Sequence, residues 1–178
     1  NILEDFEDEE FRVIRKRMIS CILATDMTYH MKHFIDLRNK LQLFEISEGK
    51  NIERFLNDDE KNINANQQII LDNTIHLCDI SNPSKVGQVY DKWVDLVLNE
   101  FFNQGDLEKN KNLPVSFMCD RGTTSKPKSQ MGFMVKIVKP YFELYYNMIP
   151  EIKPYIENLN SNFERYRNME IEEEKNKK

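Results

Sequence analysis

A carboxylate and a carboxamide, each set in an apolar run, are the side chains best placed for chemistry in this sequence. Asp79 lies in Ile75-His76-Leu77-Cys78-Asp79-Ile80. A carboxylate in so apolar a segment is expected to be buried, and a buried charge needs a cation, a metal or strong donors. Asp79 therefore either meets a metal or caps a neighbouring helix; the residues alone leave both open. His76 precedes it by three positions and shares its helix face. Asp26, His30 and His33 share another face, which suits a metal or simply structural histidines. Gln130 opens the run Ser129-Gln130-Met131-Gly132-Phe133-Met134. Its amide offers an acceptor and two donors, which suits the edge of a planar heterocycle, and Phe133 one turn on can stack on the ring face. The alternative is a core glutamine bonded to backbone. Tyr90, Trp93, Val97 and Glu100 follow helical spacing, a stripe that reads as core with an acid at its edge.

Helices must position these groups. Asp5 to Asp8 can cap a first helix, and Phe11, Ile14, Met18, Ile22 and Leu23 give its period. The pattern continues through Met27, Met31, Phe34, Leu37 and Leu41, with Thr25-Asp26 as a possible second start. Residues 45–66 are polar and Asn-rich and read as a flexible loop with room for one short turn. A helix over about 67–80 is stopped by Ser81-Asn82-Pro83-Ser84, because the residue before proline is pushed out of the α region. The next helix, from Val86, is predicted to end near Gly105. Residues 106–126 read as an irregular connection, and another helix starts near Lys128 with Pro140 as an internal kink or break. The last helix follows Pro154 and frays into a charged tail over 169–178. Neither a repeat nor a strand pair is visible.

Composition bounds the answer. At 178 residues and 21.3 kDa the chain can bury a sizeable core. The formal net charge of -5 argues against a surface-wide nucleic-acid clamp. With 40% hydrophobic and 31% charged residues the chain is too apolar for wholesale disorder. Only 5 Gly and 6 Pro disfavour a many-turned β fold. The 3 Cys form no CxxC pair and read as reduced, mostly buried thiols of a cytosolic protein. No apolar run is long enough to span a membrane, and the acidic N-terminus is unlike a signal peptide. A first residue of Asn rather than Met suggests a piece of a longer protein.

Taken together, four blocks resemble the class I cyclic-nucleotide phosphodiesterases. Ile22-Leu23-Ala24-Thr25-Asp26-Met27 looks like the family's LATDM helix. His76-Leu77-Cys78-Asp79-Ile80-Ser81-Asn82-Pro83-Ser84-Lys85 looks like its HxxD[LI]SNP[TS]K motif. Trp93 through Glu100-Phe101-Phe102-Asn103-Gln104-Gly105-Asp106 matches W…EFFxQGD. Phe117-Met118-Cys119-Asp120 with Ser129-Gln130-Met131-Gly132-Phe133 matches MCD…SQxGF.

The resemblance implies an all-α, HD-type metal-dependent phosphohydrolase fold, incomplete in this chain. It implies hydrolysis of cAMP or cGMP to the 5′-monophosphate in signal transduction, with two divalent metals, zinc and magnesium or manganese, activating the attacking hydroxide. By the same resemblance Asp79 is a metal ligand, Gln130 reads the purine edge and Phe133 clamps the base, with Ile80 or Val97 opposite. Asn82, Tyr90, Met118 and Ile137 line the pocket, and Met27 lies towards the metals. The family's HNxxHxxDV and HDxxHxG blocks are absent, so no catalytic residue is expected in this chain. It reads as the C-terminal part of the catalytic domain, inactive alone, with the N-terminal half as partner and a homo-oligomer possible. The whole protein is expected to face the cytoplasm and can carry a membrane anchor elsewhere. The contrasting reading is a catalytically dead helical module that binds nucleotide or protein. The enzyme reading requires the side chains of Asp79 and Gln130 to face one cavity.

Overall fold

The computed structural model describes residues 3–58 and 63–176. Eight α-helices are present among them: α1 Asp8–Leu23, α2 His30–Leu43, α3 Ile52–Leu56, α4 Ile63–Asp79, α5 Gly87–Asn110, α6 Lys126–Phe133, α7 Lys139–Met148 and α8 Lys153–Lys175. Short 3-10 turns at Met27–Tyr29, Asn82–Ser84 and Pro150–Ile152 join some of them, and a π-helical segment, Met134–Val138, links α6 to α7. No strand occurs among the described residues, only one isolated bridge between Ser47 and Lys50. The chain divides into two compact units. The first holds residues 1–80 and 144–150, the second residues 81–143 and 151–178.

In the first unit α1 lies along α4 with a polar seam. Ser20 donates to Asp72 at 2.8 Å, Gln68 donates to Asp72 at 2.7 Å, and Arg17 donates to Asn64 at 2.9 Å. This seam reverses an expectation. α1 has no buried residue, and Phe11, Met18, Ile22 and Leu23, which set its apolar period, are exposed. Apolar burial centres on Leu37, Leu41, Phe44, Phe55 and Leu77. A fully buried Leu or Phe contributes about 2–3 kcal/mol. Phe55 belongs to α3, inside the segment read as a loop, and α4 begins at Ile63 rather than near Gln67. The buried Asn66 explains the earlier start: its amide donates to the Phe55 carbonyl at 3.0 Å and ties the two helices together. Residues 59–62 of the expected loop, and 177–178 of the expected tail, lie outside the described residues.

The histidines also depart from the predicted face. Asp26 turns to the Thr28 amide at 2.8 Å and caps the first 3-10 turn. His30 instead meets His76, with Nδ1 and Nε2 at 2.8 Å. Burial pushes both imidazoles below their ordinary value of 6.5. His76 and His33 add to the shift on His30, while on His76 the effect of His33 is partly offset by Asp79 and by a backbone bond to Ala24. Both folded-state values lie below the unfolded one, so the unfolded chain takes up protons first as pH falls. The stability of the neutral pair is fully present above pH 6.5 and is lost as pH falls from there through the lowered folded values. The melting temperature is therefore expected to drop between pH 7.5 and pH 5.5, and His30→Gln should flatten that dependence. A flat wild-type profile would rule out a neutral buried pair.

In the second unit α8 packs on the Asn82–Ser84 turn. Asn162 donates to the Pro83 and Lys85 carbonyls, each at 2.8 Å, and Asn158 donates to the Ser84 carbonyl at 3.1 Å. The helix-stopping Ser-Asn-Pro-Ser sequence thus has its carbonyls satisfied by side chains. Arg165 and Tyr166 bond the two oxygens of Asp91 at 2.5 and 3.0 Å. α8 runs on to Lys175, so the charged tail is helical almost to its end. α5 buries Tyr90, Val94, Leu98 and Gly105, a narrower stripe than predicted, and leaves Trp93 half exposed. Pro140 does not break its helix. Its ring would crowd the Lys136 carbonyl, and the wider π turn stands at that point.

Candidate functional site

Ser125 opens α6, its hydroxyl accepting from the Lys128 amide at 3.4 Å, with Pro127 in the first turn. The helix so started buries Gln130. Tyr90, fully buried on α5, donates its hydroxyl to Gln130 Oε1 at 3.1 Å. Burial, with Tyr166 and Asp91 nearby, pushes the Tyr90 hydroxyl far above its ordinary value, so it stays a donor. The two Nε2 protons and a second Oε1 lone pair then remain of the hydrogen-bonding capacity of the Gln130 amide. The Tyr90 ring lies 5.2 Å from that of Tyr166, which anchors it from the α8 side.

A cavity of about 700 Å³ opens on the outer side of α6 and the π segment. Met118, Phe133 and Ile137 line it, as do Phe117, Lys128 and Lys136. Three predicted pocket positions therefore come together. Gln130 and Tyr90 do not line this cavity; the amide is turned to its Tyr90 partner inside the unit. Phe117, Lys128 and Lys136 were not predicted. The signal for the lysines was present: 128, 132 and 136 run beside 129, 133 and 137 along one helix face. Phe117 carried none, because it stands in an irregular loop and is 90% exposed.

The other predicted positions divide between the units. Asn82, Tyr90, Val97, Met118, Gln130, Phe133 and Ile137 belong to the second, and Met27, Asp79 and Ile80 to the first. Val97 is half-buried on α5 and Ile80 is buried at the end of α4. Asn82 Oδ1 is buried and accepts no hydrogen bond among the described residues, an acceptor that a ligand donor would satisfy. Met27 is half exposed in its 3-10 turn. Asp79 is exposed, which corrects the expectation of a buried acid. It ends α4, and the apolar neighbours that suggested burial divide, with Leu77 and Ile80 inward and Ile75 and Cys78 outward. Glu100 is exposed as well. Of the cysteines only Cys119 is buried, which corrects the expectation of mostly buried thiols.

No group of three or more His, Cys, Asp or Glu side chains is placed to hold a metal among the described residues. The Asp79 carboxylate is a hard oxygen donor and fits a divalent cation as one ligand of a set completed elsewhere. The Asp26, His30 and His33 face does not fit one, since Asp26 and His30 are turned to other partners. No described helix is long and apolar enough to cross a membrane.

Comparison with known proteins places this geometry. A family model described as 3′5′-cyclic nucleotide phosphodiesterase matches residues 1–159. The 3′,5′-cyclic-AMP phosphodiesterase isoform F of Drosophila melanogaster is 32% identical over 171 residues, covering 95% of this chain and 25% of that protein. The isoforms N/G of the same fly enzyme are also 32% identical, with 17% of their length covered. The phosphodiesterase domain of Salpingoeca rosetta rhodopsin phosphodiesterase superposes with a TM-score of 0.85 at 26% identity, over 99% of this chain and 51% of that one. LmjPDEB1 in complex with IBMX shares the fold, with a TM-score of 0.80 at 23% identity over 94% of this chain and 47% of that one. The chain thus spans a quarter or less of these fly relatives and about half of the solved domains.

Proposed function

The chain belongs to the 3′5′-cyclic nucleotide phosphodiesterase family and has its all-α fold, and from that premise we propose that the enzyme containing it hydrolyses a 3′,5′-cyclic nucleotide to the 5′-monophosphate. The observation that carries this reading is the apolar cavity walled by Phe133, Ile137 and Met118 on the helical run that also carries Gln130. Phe133 offers a ring face to a purine, and the Gln130 amide, behind the cavity wall, would have to turn its donors towards the cavity to meet the base edge. Within the second unit, Asn82 and Val97 are assigned to the base site as well. Lys128 and Lys136 add positive charge beside the cavity, which suits an anionic substrate. The fly relatives are named for cyclic AMP, which makes cAMP the first substrate to test and cGMP the second.

Asp79 would hold one of two divalent metals, zinc and magnesium or manganese, with the other ligands supplied by the rest of the domain. Metals bound there would supply activation of water and neutralisation of the phosphodiester charge. One carboxylate does not retain zinc, so this chain alone is inactive. The exposed apolar side chains of the first unit, among them Met18, Ile22, Leu71 and Ile75, are where the rest of the domain would pack. The test is a product assay with cAMP and cGMP in the presence of magnesium, on the complete domain and on the 178-residue chain. Turnover by the complete domain alone is the expected result. No turnover by either would leave only a nucleotide- or protein-binding module, and turnover by the chain alone would refute its dependence on missing ligands.

A further inference from the structure

The irregular stretch between α5 and α6 is held far more firmly than its sequence suggests, and most of its anchors come from the C-terminal end of α5. Glu108 accepts from the Ser116 amide at 2.7 Å and from the Ser116 hydroxyl at 2.6 Å, while Gln104 steadies the same carboxylate at 2.8 Å. Lys109 bonds Asp120 at 2.8 Å, and Asp120 in turn receives the Gly122 amide at 2.9 Å. Arg121 bonds Asp106 at 2.9 Å and Asn103 at 2.7 Å, with its guanidinium 5.1 Å from the Phe102 ring centre. Gly105 sits in the middle of these anchors, within α5. A Cβ there would overlap the Cys119 carbonyl, so only glycine lets the loop lie against the helix. Glycine inside a helix costs about 1 kcal/mol relative to alanine. Between the anchors Met118 has φ 67°, a left-handed conformation that is unfavourable for a residue with a side chain. That conformation is maintained by the contacts on either side of it, and it places Met118 in the wall of the cavity opposite the helix of Phe133.

We propose that the Asn103–Lys109 stretch of α5 is a positioning clamp that sets the base pocket by fixing Met118, with Glu108 and Gly105 as its positioning residues. The role rests on the cyclic-nucleotide reading above. The clamp touches no reacting atom. It sets the width of the slot between Met118 and Phe133, and so the fit of a planar base. Loosening it lowers substrate affinity and leaves the chemical step alone, the pattern of lost uniform binding.

The test uses the complete domain with Glu108→Ala, Glu108→Gln and Gly105→Ala. Amide hydrogen exchange at residues 116–122, melting temperature, and KM and kcat for cAMP and cGMP are measured. Glu108→Ala is expected to speed exchange at the Ser116 amide, to raise KM roughly tenfold, and to leave kcat and melting temperature nearly unchanged. Glu108→Gln keeps one acceptor and should recover part of both effects. Gly105→Ala should do more, and if it fails to fold the Glu108 pair still decides the matter. Unchanged exchange in Glu108→Ala overturns the clamp. Faster exchange with an unchanged KM, or a fall in kcat with no change in KM, overturns its role in the pocket. A wild-type domain without cyclic-nucleotide turnover overturns the functional reading itself, before any variant is compared, and this role with it.

Discussion

In the complete domain, Asp79→Ala is expected to remove bound metal and turnover together while leaving the fold intact. The side chain is exposed at the end of α4, and surface substitutions away from caps and cores usually move stability by no more than about 0.5 kcal/mol. An activity loss with an unchanged melting temperature then cannot be ascribed to unfolding. Residues behind the ligands of a metal site typically cost 10–100-fold in metal affinity or activity when changed, so a direct ligand should cost roughly a hundredfold or more. Metal content by elemental analysis, melting temperature and turnover, read on one preparation, decide the matter. Full metal occupancy with wild-type rates would make Asp79 a surface acid and nothing else.

Gln130→Ala carries the second large effect, and it has two parts. The structural part is the Tyr90 hydroxyl, which is fully buried and loses its acceptor. A stranded buried donor costs about 1–3 kcal/mol of stability. The functional part is the loss of the amide donors to the base, a penalty of about 1–3 kcal/mol in nucleotide binding, equivalent to roughly five- to 150-fold in KM. The double variant Tyr90→Phe, Gln130→Ala separates them. Removing both polar partners should restore the part of the stability lost to the stranded hydroxyl, while the cavity left by the shorter alanine keeps its own cost. The rise in KM should persist. A KM unchanged in both variants would remove Gln130 from base recognition and leave it a core amide.

The differences between the sequence reading and the structure share a cause. Gly105 looked like the end of a helix because glycine is the commonest residue just past one. It lies inside α5, which continues to Asn110, because a loop some fourteen residues later crosses it. Residues 52–56 looked like loop because they are short and flanked by polar sequence. They are helical because Phe55 is buried in the first unit and Asn66 bonds its carbonyl. α1 shows the reverse. Its apolar period is real, yet the side turned to α4 is polar. Asp79 was misjudged through its neighbours: apolar residues on both sides in sequence do not enclose a side chain at a helix end.

By itself the sequence determined the all-α class, most helix positions, the stop at Ser81-Asn82-Pro83-Ser84 and the family, because these are written in short-range periodicity, turn chemistry and residue order. It also placed Gln130 and Phe133 on one helical run. The tertiary structure alone decided that His30 meets His76 across 46 positions, that Tyr90 bonds Gln130 across 40, that Glu108 bonds Ser116 and that Gly105 lies against the Cys119 carbonyl. The physical reason is that periodicity fixes which residues share a face, whereas burial and hydrogen-bond partners depend on what the chain brings against that face from far along its length.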